Sequence, residues 1–235
     1  MKKVTLIISS IILTLLVVML IYFNDYYKCD KKVYNYLKSN DSVLVSKIDN
    51  GYFFDGKGQD NAIIFYQGAK VEYTAYAPLM NKIASNGVDA FLIDMPFNFA
   101  FFNPYAANKI TNNYKYDNYY ICGHSLGGVV ASIYASNHDK IKGIIFLASY
   151  PFKPIKRNIK VLSIYGSQDG VLNMDKYSNS KKSWNSSYEE FVIDGANHAG
   201  FGNYGKQSGD KKSKITNAEQ QNITSQKIIE FILKQ

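Results

Sequence analysis

YYICGHSLGGVV, residues 119–130, joins an aromatic and aliphatic run to a Gly-His-Ser-Leu-Gly pentapeptide and then to a second apolar run. The first run reads as a buried strand and the second as the start of a helix. A serine between two glycines at that junction fits the pattern G-x-S-x-G. The turn is so sharp that the serine takes a strained backbone conformation, and the residues two before and two after it crowd one space. Only very small side chains fit there, so Gly123 and Gly127 flank Ser125, with His124 and Leu126 between them. Such a pentapeptide arises by chance in roughly one chain in ten of this length, so the surrounding residues have to support it.

A serine hydroxyl is a poor nucleophile without a base, and the base needs a carboxylate to hold its tautomer. The chain has three histidines. His124 lies inside the turn, with its side chain expected to point away from Ser125. His138 follows a helix of about ten residues that starts at the turn, which puts it roughly 15 Å away. His198, in DGANHAGFGNYG (194–205), follows the last strand-like run and is the candidate base. Asp169, in YGSQDGV (165–171), follows the preceding strand and reaches the same sheet edge as the candidate acid. Asp94 and Asp194 read as strand-end or turn carboxylates, and Asp175 lies further along, in the next helix.

Outward from the turn, the chain alternates strand-like and helical runs. A hairpin over 43–48 and 51–55 turns at Asp49-Asn50-Gly51, and strands follow at 61–66, 88–94, 118–122, 141–148, 159–165 and 188–193. Helices are predicted at 73–86, 105–113, 126–137, 174–182 and 216–234. Continuous apolar strands alternating with helices predict a mostly parallel twisted sheet covered on both faces. There is no internal repeat or low-complexity segment.

With its elbow and its Ser125, Asp169, His198 order, the chain resembles the α/β-hydrolase superfamily from about residue 61 to residue 235. It is most similar to small, lidless, esterase-like hydrolases, some of them membrane-anchored, whose histidine loop reads much like GANHAGFGNYG. The resemblance implies a nucleophile after the fifth strand, an acid after the seventh and a base after the eighth. Ser125, Asp169 and His198 stand in those places. It also implies two backbone N–H groups to meet the negative charge that develops on a carbonyl oxygen. The first would be that of Leu126. The second would come from the loop after 61–66, where relatives commonly carry His-Gly and this chain has Gln67-Gly68-Ala69. Ala69 is the expected donor, with Gly68 the near alternative.

Many relatives insert a lid where this chain has only SYPFKPIKRN (149–158), so an open site is expected. The loop MPFNFAFFNPYAAN (95–108) brings Phe97, Phe99, Phe101, Phe102 and Tyr105 to the edge of the site. These rings would form an apolar acyl or alcohol pocket, dip into a nearby membrane, or simply cover the sheet edge.

The N-terminus opens with two lysines and then VTLIISSIILTLLVVMLIYF (4–23), an uncharged stretch long enough to cross a hydrocarbon core. The following YFNDYYKCD has no small-residue cleavage site, which favours an uncleaved anchor over a signal peptide. Bulky Tyr26, Tyr27 and Lys28 before Cys29 argue against a lipid-attachment signal. Residues 1–23 are thus read as anchor, 24–42 as a connector with a short helix around 31–37, and 43–235 as the hydrolase domain. Lys2 and Lys3 precede the anchor and Lys28, Lys31, Lys32 and Lys38 follow it. The expectation is a single-pass protein of the cell membrane with its domain outside, since a short basic start before a long apolar run is what export machinery engages. Sequons at Asn40, Asn185 and Asn222 add little to that.

The net charge is +8, yet Arg157 is the only arginine, and a reader of bases or phosphates would use more of them. Nucleic acid is therefore not an expected partner. Cys29 and Cys122 make no disulfide framework, and no Cys/His cluster suggests a metal. No cofactor is expected. These observations together predict a membrane-anchored serine hydrolase acting on a small-molecule ester or similar acyl substrate. An acyltransferase or peptidase on the same triad, or a silent hydrolase fold used as a tethered binding module, are the alternatives.

Overall fold

Ala62, Ile64 and Tyr66 pack with one set of helices while Ile63 and Phe65 pack with another, because successive side chains of a strand point to opposite faces. The computed structural model describes residues 2–58, 60–155, 158–184 and 188–234. Arg157 and Asn185 lie outside the described residues. Among the described residues one sheet runs through β1 (Leu44–Ile48), β2 (Gly51–Asp55), β3 (Asn61–Tyr66), β4 (Asp89–Ile93), β5 (Asn118–His124), β6 (Ile141–Leu147), β7 (Lys160–Gly166) and β8 (Tyr188–Ile193). The strand order is 1-2-4-3-5-6-7-8. β2 is antiparallel to both β1 and β4, and all later pairings are parallel.

The helices are α1 (Lys2–Asn24), α2 (Ala77–Ser85), α3 (Asn108–Asn113), α4 (Leu126–Asn137), α5 (Met174–Ser180) and α6 (Asn217–Leu233). Leu79, Met80 and Ile83 of α2 join Ile228, Phe231 and Ile232 of α6 on one face. Ile110 of α3, Val130 and Tyr134 of α4 and Tyr177 of α5 cover the other. Each face removes a continuous apolar layer from water, at roughly 1.5–3 kcal/mol per fully buried large aliphatic side chain.

Boundaries differ from the predicted ones by one to four residues, α2 beginning at Ala77 after a 3₁₀ turn over Tyr73–Tyr76 rather than at 73, and two of the shifts have identifiable reasons. β5 extends past residue 122 to His124 because its ladder with β6 continues to the pair His124 and Leu147. α3 begins at Asn108 rather than 105 because Tyr66 diverts the preceding backbone. Its hydroxyl donates to the Pro104 carbonyl and accepts the Ala107 N–H, each at 3.0 Å.

Residues 25–38 are fastened to the body of the protein. Tyr27 forms a parallel bridge with Val71, Cys29 N–H donates to Glu72 Oε2 at 3.0 Å, and Val33 is buried in the core. Burial and the adjacent Glu72 raise the Cys29 thiol above its ordinary range. α1 is long and apolar enough to cross a membrane, and none of its apolar window is buried against the protein. Because β3, β4, β5, β7 and β8 run the same way, the loops that follow them all gather at one carboxyl edge.

Candidate active site

β5 ends and α4 begins at Ser125, whose backbone sits at φ 51° and ψ −125°. A non-glycine residue at positive φ is uncommon and persists only where its surroundings hold it. Ser125 N–H donates to the Leu147 carbonyl at 2.9 Å, and Ser149 Oγ donates to the Ser125 carbonyl at 2.6 Å. A side chain at Gly123 would collide with the backbone of Gly127 and Gly128, and one at Gly127 with the carbonyls of Tyr66 and Gln67. The two glycines are therefore required by close backbone approach on both sides of the serine. The N-terminal end of α4, with its unpaired N–H groups and positive dipole end, begins immediately after Ser125.

The structure brings Asp169 and His198 together. Asp169 Oδ2 accepts the His198 Nδ1–H at 2.9 Å, while its Oδ1 accepts the N–H groups of Val171 and Leu172 at 2.8 Å each. Both side chains are almost wholly buried, and the three donors offset the cost of taking a carboxylate out of water. With the proton held on Nδ1, Nε2 carries the free lone pair. That nitrogen is buried without a hydrogen-bond partner. Ser125 and His198 line one cavity of about 170 Å³, together with Leu126, Val129, Tyr150 and Leu172 among others. The aromatic residues of 95–105 do not line it.

Asp94, Asp175 and Asp194 take no part in this arrangement. Asp194 accepts a hydrogen bond from Ser167 Oγ at 2.9 Å, and Asp175 lies in the first turn of α5. Asp94 follows β4, where burial raises its carboxyl above the usual range. His138 caps the far end of α4 and stacks on Tyr134 with ring centres 3.7 Å apart.

His124 turns under the neighbouring loop. Its Nδ1 lies 2.8 Å from the Tyr76 hydroxyl, which also accepts the Gly68 N–H at 3.3 Å. Burial holds the His124 imidazole neutral, well below the usual histidine range, and nearby His198 adds to this. Burial likewise pushes the Tyr76 phenol far up, so it stays protonated. The hydroxyl thus accepts from Gly68 and pairs with His124 Nδ1. Gly68 N–H is thus engaged, whereas the N–H groups of Ala69 and Leu126 make no hydrogen bond within the described residues.

Three supports escaped the sequence reading. Tyr76 carried no motif that would single it out. Gln67, in the loop after β3, is fully buried: its Nε2 donates to the Val71 carbonyl at 2.9 Å and to Asn98 Oδ1 at 3.0 Å, while its Oε1 accepts from Met95 N–H at 3.2 Å. Asp210 clamps the acid and base loops together by accepting the N–H groups of Gly170 at 3.0 Å and Ala199 at 2.9 Å. Its only trace in the sequence is one aspartate in a polar loop. Among the described residues no three His, Cys, Asp or Glu side chains group to hold a metal ion.

A family model described as "Alpha/beta hydrolase family" matches residues 62–222. The chain belongs to that family. Among solved structures it is similar to a dienelactone hydrolase from Anabaena variabilis, with 13% identity over 81% of this chain and 95% of that one and a TM-score of 0.60. It is also similar to Est1E from Butyrivibrio proteoclasticus, with 15% identity over 82% of this chain and 100% of that one and a TM-score of 0.56. At such identities the likeness concerns the fold. No curated protein matches the sequence.

Proposed function

We propose that the protein is a membrane-anchored serine hydrolase that cleaves carboxylic esters through an acyl-enzyme. The observation that carries this reading is the buried Asp169–His198 pair, with a free Nε2, at the wall of the cavity that Ser125 enters from its strained turn. Ser125 Oγ attacks the acyl carbon as His198 Nε2 takes its proton, and Asp169 holds the imidazole in the required tautomer and stabilises its charged form. The oxyanion meets the N–H groups of Leu126 and Ala69, where α4 contributes its positive end. Gly68 serves instead as the anchor of that loop, through Tyr76. His198 then returns the proton to the departing alcohol. A water molecule, deprotonated by the same imidazole, attacks the acyl-enzyme and releases the acid and the free serine.

One fold neighbour bears the name dienelactone hydrolase, which agrees with ester cleavage. Within this reading residues 1–23 are the membrane anchor, and the catalytic domain lies outside the cytoplasm. A fluorophosphonate probe tests the nucleophile. The wild-type chain should be labelled and Ser125→Ala should not. Undiminished labelling of Ser125→Ala would remove the serine from its role.

A further inference from the structure

The carboxyl edge of the sheet carries both the candidate site and the place where α1 meets the body of the protein. The apolar run of α1 ends at Phe23, whose ring centre lies 5.1 Å from that of Phe97, 5.6 Å from Phe99 and 5.4 Å from Phe102. Where a helix of this length crosses a bilayer, its last aromatic rings mark the boundary between acyl chains and headgroups. Rings in contact with Phe23 then lie at that level.

The same surface continues away from α1. Phe101 meets Phe152 at 6.2 Å, and Phe152 is tied to α4 through its N–H and Ser132 Oγ. Phe97, Phe101, Phe102, Tyr105 and Phe152 leave 56, 43, 51, 47 and 51% of their surface exposed. Scattered apolar side chains on a surface are ordinary, but a group of large rings gathered on one edge marks an interaction surface.

One further feature favours lipid over a protein partner as the occupant. A cation stands among the rings, with Lys153 Nζ 5.7 Å from the centre of Phe152, while Lys70 Nζ, 4.5 Å from the centre of Tyr22, is paired with Asp25 at 2.8 Å. With the net charge of +8, this pattern suits an anionic headgroup layer. The ring-bearing loop is also fastened to the loop of Ala69, through Lys70 N–H on the Asn98 carbonyl at 2.9 Å and through Gln67. Seating the rings therefore seats the site.

We propose that this aromatic edge docks into the interfacial layer of the bilayer, and that the site beside it takes acyl esters resident in the membrane. The substrate part of the inference rests on the serine-hydrolase reading above. The cavity of about 170 Å³ is smaller than the ~300–1,000 Å³ of sites that enclose a whole small ligand. It accommodates the reacting end of a molecule whose remaining length stays outside the protein, where the bilayer holds it.

The test uses the full chain in vesicles of phosphatidylcholine and phosphatidylglycerol. Phe101→Trp adds one indole to a protein whose own Trp184 is buried elsewhere. Its emission should be quenched by lipids brominated on their acyl chains and shielded from aqueous iodide. Quenching by iodide with no effect of the brominated lipid overturns the docking surface, whatever the enzyme hydrolyses. In a second arm, Phe101→Ser with Phe152→Ser should lower hydrolysis of a vesicle-resident long-chain fluorogenic ester about tenfold, as expected for lost burial of two rings. Hydrolysis of a soluble short-chain ester should be unchanged. Equal effects on both esters overturn the substrate assignment. Failure of the wild type on both esters overturns the hydrolase reading and the substrate with it, while the quenching arm still decides the docking surface.

Discussion

Asp169 and Asp194 lie in adjoining loops of the same edge, yet their surroundings assign them different work. Asp169 gives one oxygen to His198 and the other to two backbone N–H groups, whereas Asp194 meets the hydroxyl of Ser167. Asp169→Asn keeps the size of the side chain but leaves the histidine tautomer unsupported. Turnover should drop by orders of magnitude, up to about 10⁴-fold, with circular dichroism and unfolding midpoint near those of the wild type. Asp194→Asn should change turnover little. A collapse in Asp194→Asn with near-normal Asp169→Asn would transfer the carboxylate role. Ser125 and His198 could be singled out as candidates from the sequence because a motif and an elimination among three histidines isolate them. Tyr76 and Asp210 could not, since each acts through partners that only folding brings near: Tyr76 through His124, 48 positions away, and Asp210 through Gly170, 40 positions away.

α6 closes one face of the sheet and also holds the loop of the candidate base. Gln220, fully buried, donates from Nε2 to the Asn197 carbonyl at 2.8 Å and accepts the Asn197 N–H at 3.2 Å. Replacing it by leucine keeps the volume and leaves both backbone groups of Asn197 without partners, at a cost of about 1–3 kcal/mol each when buried. Gln220→Leu should therefore lower the urea midpoint of unfolding and slow ester turnover together. Lost stability with full turnover would confine α6 to a packing role. The strands were legible because parallel strands buried on both faces appear as unbroken apolar runs. β5 alone was underestimated, since its last residues, Gly123 and His124, are not strand formers and only the ladder with β6 extends them. The packing of residues 25–38 onto the body was not legible. A mixed polar and tyrosine-rich segment carries no periodicity, and what fastens it are contacts with distant residues: the Tyr27–Val71 bridge, Cys29 N–H on Glu72, Asp30 N–H on the Asn203 carbonyl and buried Val33.

On the scale of the whole molecule, the chain leaves α1 at Asn24 and within three residues bonds to the loop that carries Ala69. Tyr27 N–H donates to the Lys70 carbonyl at 2.7 Å, and Glu72 N–H donates to the Tyr27 carbonyl at 2.9 Å. The 22 residues of Lys3–Asn24 span about 33 Å at about 1.5 Å per residue. A thinner bilayer makes such a helix tilt, while a thicker one holds it upright. Under the proposed function, with α1 as the anchor, the bridge would work as a lever arm: torque on a tilting rod would reach the loop whose Ala69 N–H is to meet the developing charge, and such alignment tolerates little displacement. Turnover of a soluble short-chain ester by the reconstituted chain should peak in bilayers whose hydrocarbon thickness matches the rod and decline on either side, with KM little altered. Tyr27→Pro, which deletes the donating N–H, should flatten that profile. An equally sharp profile in Tyr27→Pro would mean that the lever lies elsewhere. Through Tyr27, the hydrolase would take the thickness of its surroundings as an input to its rate.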